Sequence, residues 1–387
     1  MNKFTHKYFI PEIVSFIKKI YNQEKVLLHE PVFLGNEKKY LQKCIDSTFV
    51  SYVGEYVTEF EDMIAKYTDS NYAVAVVNGT VALKLALEVC GVKPGDEVIT
   101  QPLTFVATVN AISHCKASPV FIDIDTDTLG MSPEKLELFL KDETTCKYGK
   151  VINKKTKNKI SAIVPVHTFG FPCRIDDIVQ IGNRYNIPII EDSAESLGSF
   201  YKEKHTGNFG RAGIISFNGN KIITTGGGGM IITNDEQIAT KAKHLSTTAK
   251  VPHGWEYVHD EIGYNYRMPN INAAVGVAQM ENINKILKNK KETAELYKQF
   301  ISTFEDIKYF DKLSYTNPNY WLNTILFNDI SIRNEFLEIT NNQGIQTRPA
   351  WRLLNKLIMY RNCISGNLDN ALIISDKIVN LPSGYRK

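Results

Sequence analysis

No stretch of this 387-residue chain approaches the ~20 apolar residues needed to span a membrane. Its six cysteines, Cys44, Cys90, Cys115, Cys146, Cys173 and Cys363, nowhere stand in CxxC or CxxxC spacing. That scatter excludes a zinc knuckle or a disulfide framework and fits buried thiols of a reducing compartment. An excess of one charge is also missing, with 45 basic residues against 42 acidic and a net charge of +3. A polyanion-binding surface is therefore not the main business of the chain, and nucleic acid is not expected as a partner. Met1 to Lys7 is polar and is followed by Phe9-Ile10-Pro11, without the apolar run of a signal peptide. The expected location is the cytoplasm. Nucleotide loops of the GxxxxGK[ST] type, and GxGxxG between a strand and a helix, are absent too.

What is present is a 43% hydrophobic composition in a chain too long for one ordinary small domain. From Tyr72 short β-branched runs alternate with helical patterns, the signature of an α/β fold whose mostly parallel sheet is covered by helices. Strands are expected at Ala73 to Val77, Glu97 to Gln101, Val120 to Asp123, Ala162 to Val166, Pro188 to Asp192, Ala212 to Phe217 and Gly229 to Thr233. Helices are expected at Val81 to Val89, Phe105 to Cys115 and Ile175 to Tyr185. The basic run Lys147 to Lys159 reads as an exposed hairpin or loop before a buried strand. After Gln279 a lysine-rich helix, Asn282 to Phe304, leads to a strand at Tyr320 to Phe327 and helices near Ile332 to Thr340 and Asn370 to Val379. The expected division is an N-terminal helical segment (1–30), a large cofactor domain (31–280) and a small C-terminal α/β domain (281–387).

Two charged residues stand out against this pattern. Asp192 closes the run Asn186-Ile187-Pro188-Ile189-Ile190-Glu191, otherwise a buried strand. A buried carboxylate costs several kcal/mol on the usual scale unless a cation faces it. Lys221 follows the run Ile214-Ile215-Ser216-Phe217. In this order, an acid for a protonated pyridine nitrogen and an amine for a Schiff base are the two groups that hold pyridoxal phosphate. Taken singly, Asp192 is equally a loop cap and Lys221 equally a surface lysine. Asn78-Gly79-Thr80 opens a helix after the first strand of the alternating region, where backbone amides and a hydroxyl would receive the phosphate. The same triplet is an ordinary turn and N-cap. Phe105, in Pro102-Leu103-Thr104-Phe105, is either a ring-stacking residue or core. The run Thr224-Thr225-Gly226-Gly227-Gly228-Gly229 reads as a close backbone approach.

These motifs, with Ala82-Leu83, Glu191-Asp192, Ser216-Phe217 and Gly263-Tyr264-Asn265-Tyr266-Arg267-Met268, resemble the DegT/DnrJ/EryC1/StrS sugar aminotransferases over nearly the whole chain. The resemblance implies fold-type I, aspartate aminotransferase-like architecture, pyridoxal phosphate as cofactor and a homodimer. It implies that Lys221 carries the cofactor and shuttles the proton, Asp192 holds the pyridinium and Phe105 stacks on the ring. Gly79, Thr80 and Ser216 would hold the phosphate, with Asn265 supplied by the other subunit. Glu195 takes the place near the phenolic oxygen where relatives often carry glutamine or histidine.

Leu28-His29-Glu30-Pro31 through Gly35-Asn36-Glu37, Asp46-Ser47-Thr48-Phe49-Val50, and Thr248-Ala249-Lys250-Val251-Pro252-His253 through His259-Asp260 look like the branch that makes 4-amino sugars for legionaminic acid. That likeness implies a nucleotide-linked, N-acetylated 4-keto-6-deoxyhexose as acceptor, with L-glutamate as donor. It also places His167 and Lys250 at the substrate, although His167 is equally a structural histidine after a strand. Relatives commonly carry leucine and tyrosine where Thr168 and Phe169 stand. The alternatives are a GDP-perosamine synthase type of aminotransferase, a 3-dehydrase, against which Lys221 speaks, and a non-catalytic cofactor-binding regulator.

Overall fold

Seven short apolar runs pair into one sheet: β1 (Tyr72–Val76), β2 (Glu97–Thr100), β3 (Ser118–Phe121), β4 (Ile160–Val164), β5 (Ile190–Asp192), β6 (Ala212–Ser216) and β7 (Gly229–Thr233). The computed structural model describes residues 6–387, with side chains from residue 9 onward, so residues 1–5 of the expected N-terminal segment lie outside the described residues. Pairing gives the spatial order β3-β2-β4-β5-β6-β7-β1. The link between β4 and β5 consists of parallel bridges at Ile163 with Ile189 and Val166 with Asp192. Six strands run parallel and β7 runs against both of its neighbours. No helix separates β6 from β7, and a parallel return would need a longer crossover. Every residue of β2, β4, β6 and β7 is buried, as expected of a sheet covered on both faces.

The helix Gly79–Val89 follows β1 because Asn78 caps it, its Oδ1 accepting the Val81 amide at 2.9 Å, and because Ala82, Leu83, Leu85 and Ala86 supply an apolar face. Those side chains pack on Val74, Val76, Ile214 and Ile231, and each buried leucine stabilises the fold by ~2 kcal/mol. Helices Ala107–His114 and Ile175–Tyr185 lie close to their expected positions. The basic segment forms the hairpin Thr144–Lys147 with Lys150–Asn153, just before β4.

A second sheet is built from β8 (Ile307–Tyr309), β9 (Asn323–Phe327), β10 (Arg348–Pro349) and β11 (Ile378–Leu381), in the antiparallel order β8-β9-β11-β10. Here the expected helix over Asn370 to Val379 is corrected. It spans Asp369–Ser375, and Ile378 and Val379 belong to β11, where partners on both sides outweigh helical spacing. The N-terminal helix His6–Tyr21 shares a core with this layer, and Tyr21 donates to the Pro382 carbonyl at 2.9 Å. Helices Glu37–Ser47, Glu55–Thr68 and Asn270–Met280, which the sequence reading did not include, pack together and contribute to the same core. No helix among the described residues is long and apolar enough to cross a membrane.

Candidate active site

The carboxyl ends of β1, β2, β5 and β6 converge on one edge of the sheet, the edge at which α/β folds place their ligands. Antiparallel β7 contributes its entry, Gly227 and Gly228, to the same edge. Together they enclose a cavity of about 340 Å³ lined by Gly79, Thr80, Phe105, Asp192, Glu195, Ser216 and Lys221. Seven of the ten residues expected at the site thus meet in one space.

Asp192 is buried at the end of β5. Thr108 Oγ1 donates to its Oδ2 at 2.7 Å and the Ala194 amide to its Oδ1 at 3.2 Å. Burial pushes its pKa up; the two hydrogen bonds and the Lys221 charge only partly offset this. The carboxylate is thus poised for a cationic partner from the cavity. Lys221 sits on the turn after β6, its amide donating to the Asn218 carbonyl at 3.0 Å. Its amine lies 4.1 Å from the Trp321 ring centroid and 3.8 Å from Glu195 Oε1. Burial lowers the Lys221 pKa, against the pull of Glu195 and Asp192, and so favours the free amine a nucleophile requires. Glu195 accepts the Phe169 amide on Oε2 at 2.8 Å, and burial pushes its pKa up to about 7.

At the opposite wall, the amides of Gly79 and Thr80 open an eleven-residue helix beside Ser216. A Cβ on Gly79 would lie 2.9 Å from Ser216 Cβ, so only glycine lets the backbone come this close. A Cβ on Gly229 would meet the Asn78 carbonyl at 2.4 Å, which accounts for part of the glycine run as strand packing. Phe105 keeps 49% of its surface exposed at the cavity, an apolar face available to a flat ring. An anion seat, an uncompensated carboxylate, a lysine amine and an exposed aromatic face fit pyridoxal phosphate.

The other three expected residues lie elsewhere. His167 is fully buried and does not line this cavity. Its Nδ1 accepts the Cys173 amide at 3.3 Å, which places the proton on Nε2, 3.0 Å from Glu191 Oε2. Burial opposes ionisation of Glu191. The His167 contact and the Gly207 and Gly210 amides overcome it and hold the carboxyl below its usual range. Lys250 is exposed on the ribbon Lys250–Val251 paired with Val258–His259, with its amine 4.4 Å from the Tyr257 ring centroid. Asn265 is exposed and accepts from Arg267 Nε at 2.8 Å. Neither Lys250 nor Asn265 lines this cavity.

Sequence reasoning missed Thr108, Asn220, Trp321 and Trp351. Thr108 lies in the first turn of the helix Ala107–His114, and its hydroxyl is 3.1 Å from that of Thr104 in the preceding loop. Nothing local marks Trp321 or Trp351, which reach the cavity from the region of the second sheet.

Residues 34–386 match the model of the DegT/DnrJ/EryC1/StrS aminotransferase family. The chain is similar to GDP-perosamine synthase of Escherichia coli O157:H7, with 39% identity over 86% of each chain. It is similar also to EpsN of Bacillus subtilis, a putative pyridoxal phosphate-dependent aminotransferase, with 37% identity over 86% of this chain and 83% of the relative. Among solved structures, a DegT/DnrJ/EryC1/StrS aminotransferase from Brucella abortus superposes with a TM-score of 0.82 at 25% identity, covering 90% of both chains.

Proposed function

From the premise that the chain belongs to the DegT/DnrJ/EryC1/StrS aminotransferase family and is a pyridoxal phosphate-dependent sugar aminotransferase, we propose that it moves an amino group from L-glutamate to C4 of a nucleotide-linked 4-keto-6-deoxyhexose. The proposed acceptor carries a 2-acetamido group, and the product serves a surface-glycan amino sugar such as legionaminic acid or bacillosamine. The observation that carries the proposal is that Asp192 and Lys221 face one cavity, with an anion seat at Gly79, Thr80 and Ser216.

Bound there, pyridoxal phosphate supplies an electron sink for the carbon that loses or gains the proton. In this reading Asp192 holds the ring nitrogen protonated, and the Thr108 hydrogen bond fixes the carboxylate in place. Lys221 delivers and removes the proton at the reacting carbon, its burial keeping part of the population as free amine. Glu195, which lines the cavity and whose pKa burial raises to about 7, would meet the phenolic oxygen of the bound cofactor. Phe105 fixes the plane of the ring, and Trp321 and Trp351 shield the reacting atoms from water. Asn265 completes the phosphate site from the other subunit of a homodimer, which its exposed position away from this cavity permits. The enzyme works in the cytoplasm, where nucleotide sugars are made.

A second reading, a GDP-linked acceptor without the acetamido group, is favoured by the similarity to a GDP-perosamine synthase. Mass spectrometry of UDP-, GDP- and TDP-linked 4-keto sugars, each incubated with L-glutamate and the enzyme, separates the two. The first reading expects amination of an acetamido sugar in preference to its 2-hydroxy counterpart. Amination of the GDP-linked 2-hydroxy sugar alone overturns it in favour of the second, and no amination of any keto sugar overturns both.

A further inference from the structure

A second chamber, of about 410 Å³, adjoins the cavity that holds Lys221, and the two share Asn220, Trp321 and Trp351. Its polar wall comes from distant parts of the chain: His29, Gln346, Arg348 on β10 and Asn380 on β11. Each side-chain amide in that wall already has its carbonyl oxygen engaged from within the protein. The Leu28 amide donates to Gln346 Oε1 at 2.9 Å, Asn218 Nδ2 to Asn220 Oδ1 at 3.1 Å and Thr324 Oγ1 to Asn380 Oδ1 at 2.8 Å. Each oxygen is thereby turned toward the protein, which leaves the NH₂ group of each amide free to donate. Arg348 commits Nη1 to the Asn341 side chain and the Thr347 carbonyl, both at 2.7 Å, and retains the rest of its fork.

Among the described residues no carboxylate lines the chamber. His29 Nδ1 is shut off from solvent without a hydrogen-bond partner, while Nε2 lies 3.0 Å from the buried Lys290 amine. That nitrogen is not exposed to the chamber, so the donors a ligand can reach there are those of Arg348 and the side-chain amides. Burial, reinforced by the Lys290 and Lys221 charges, keeps His29 neutral. The chamber therefore presents one guanidinium and a set of neutral donors, which matches a single negative charge spread over two oxygens better than a diphosphate.

We propose that this chamber receives the side-chain carboxylate of the dicarboxylic amino donor, with Arg348, Gln346 and Asn220 as its donors. The proposal rests on the reading of the protein as a glutamate-using aminotransferase. An extended glutamate places its side-chain carboxyl carbon about 4 Å from the reacting Cα, three carbon–carbon bonds along the chain. Trp321 lines both cavities and its ring centroid lies 4.1 Å from the Lys221 amine, so the chamber begins within that reach.

The test is calorimetric titration of the cofactor-loaded enzyme with glutarate, an unreactive dicarboxylate, and separately with UDP and GDP. Wild type is compared with Arg348→Gln and Gln346→Leu, and the cofactor absorption band serves as the control for folding and loading. The expected result is about a tenfold or greater loss of glutarate affinity in Arg348→Gln, a smaller loss in Gln346→Leu, and nucleotide affinity within about twofold of wild type. Unchanged glutarate affinity in both variants overturns the proposal, as does loss of nucleotide affinity in place of glutarate affinity. A wild-type enzyme that binds glutarate through Arg348 yet aminates no keto sugar would leave the chamber standing and sink the acceptor assignment instead.

Discussion

The Lys221 amine stands 3.8 Å from Glu195 Oε1, and burial drives both groups toward their neutral forms. Burial thus favours a free amine on Lys221, the form that can take up a proton from a reacting carbon.

Glu195 gives a pH signature. Its carboxyl is raised to about 7 by burial, so the unfolded chain releases this proton at lower pH than the folded one. Stability from this group is therefore full below the ordinary carboxylate range and falls as pH climbs through about 7, by roughly 3 kcal/mol in all. Glu195→Gln removes the titration. Denaturant unfolding of the apo forms at pH 5 and pH 8 should show the variant gaining on wild type by that order at the higher pH; a constant difference rules the assignment out.

Asp192→Asn separates the apo protein from the loaded one. Because the carboxylate is buried without a cation in contact, the apo variant should melt at or above the wild-type temperature. Added pyridoxal phosphate should then stabilise the variant less than wild type, and the amination rate should fall severely. A full cofactor-induced shift in the melting temperature would contradict the role given to Asp192.

Lys221→Ala should retain the fold and much of the phosphate-mediated cofactor binding while slowing amination by roughly a thousandfold or more. Borohydride treatment of wild type should fix the cofactor to Lys221, read by peptide mass, and leave the variant unlabelled. Turnover at the wild-type rate would show that the amine lies elsewhere.

His167→Ala should act on stability and not on substrate affinity. It leaves Glu191 buried with amide donors only, a loss of about 2 to 4 kcal/mol by chemical unfolding. Since the Glu191 carboxyl is held below its usual range in the native state, the wild-type contribution is present above that range and drains away as pH falls. The KM for the keto sugar should stay within about twofold of wild type; a large rise would return His167 to the substrate.

Gly79→Ala tests the anion seat. Its Cβ must share space with Ser216, at 2.9 Å, so cofactor affinity should drop about tenfold while the helix, which gains propensity from alanine, stays intact. Fluorescence titration of the apo protein with pyridoxal phosphate reads the change. Unaltered affinity would move the phosphate away from this helix.

The sequence by itself determined the alternating elements and the residues that close them. β-branched runs and helical spacing are local properties; Asp192 and Ser216 close such runs, and Lys221 stands five residues beyond Ser216. A shared strand direction then obliges their carboxyl ends to meet at one edge, which is why the candidate site was legible before any coordinates. Tertiary structure decided whatever depends on partners from elsewhere in the chain. Val379 turned from helix to strand because β9 and β10 flank it, and His167 is held by Glu191 and the Cys173 amide, while the amides of Gly207, Phe209 and Gly210 take up the rest of the Glu191 carboxylate. Trp321, Trp351 and Arg348 reached the neighbourhood of Lys221 only when the second layer docked, since periodicity reports what a residue's own segment buries and says nothing of which distant segment will cover it.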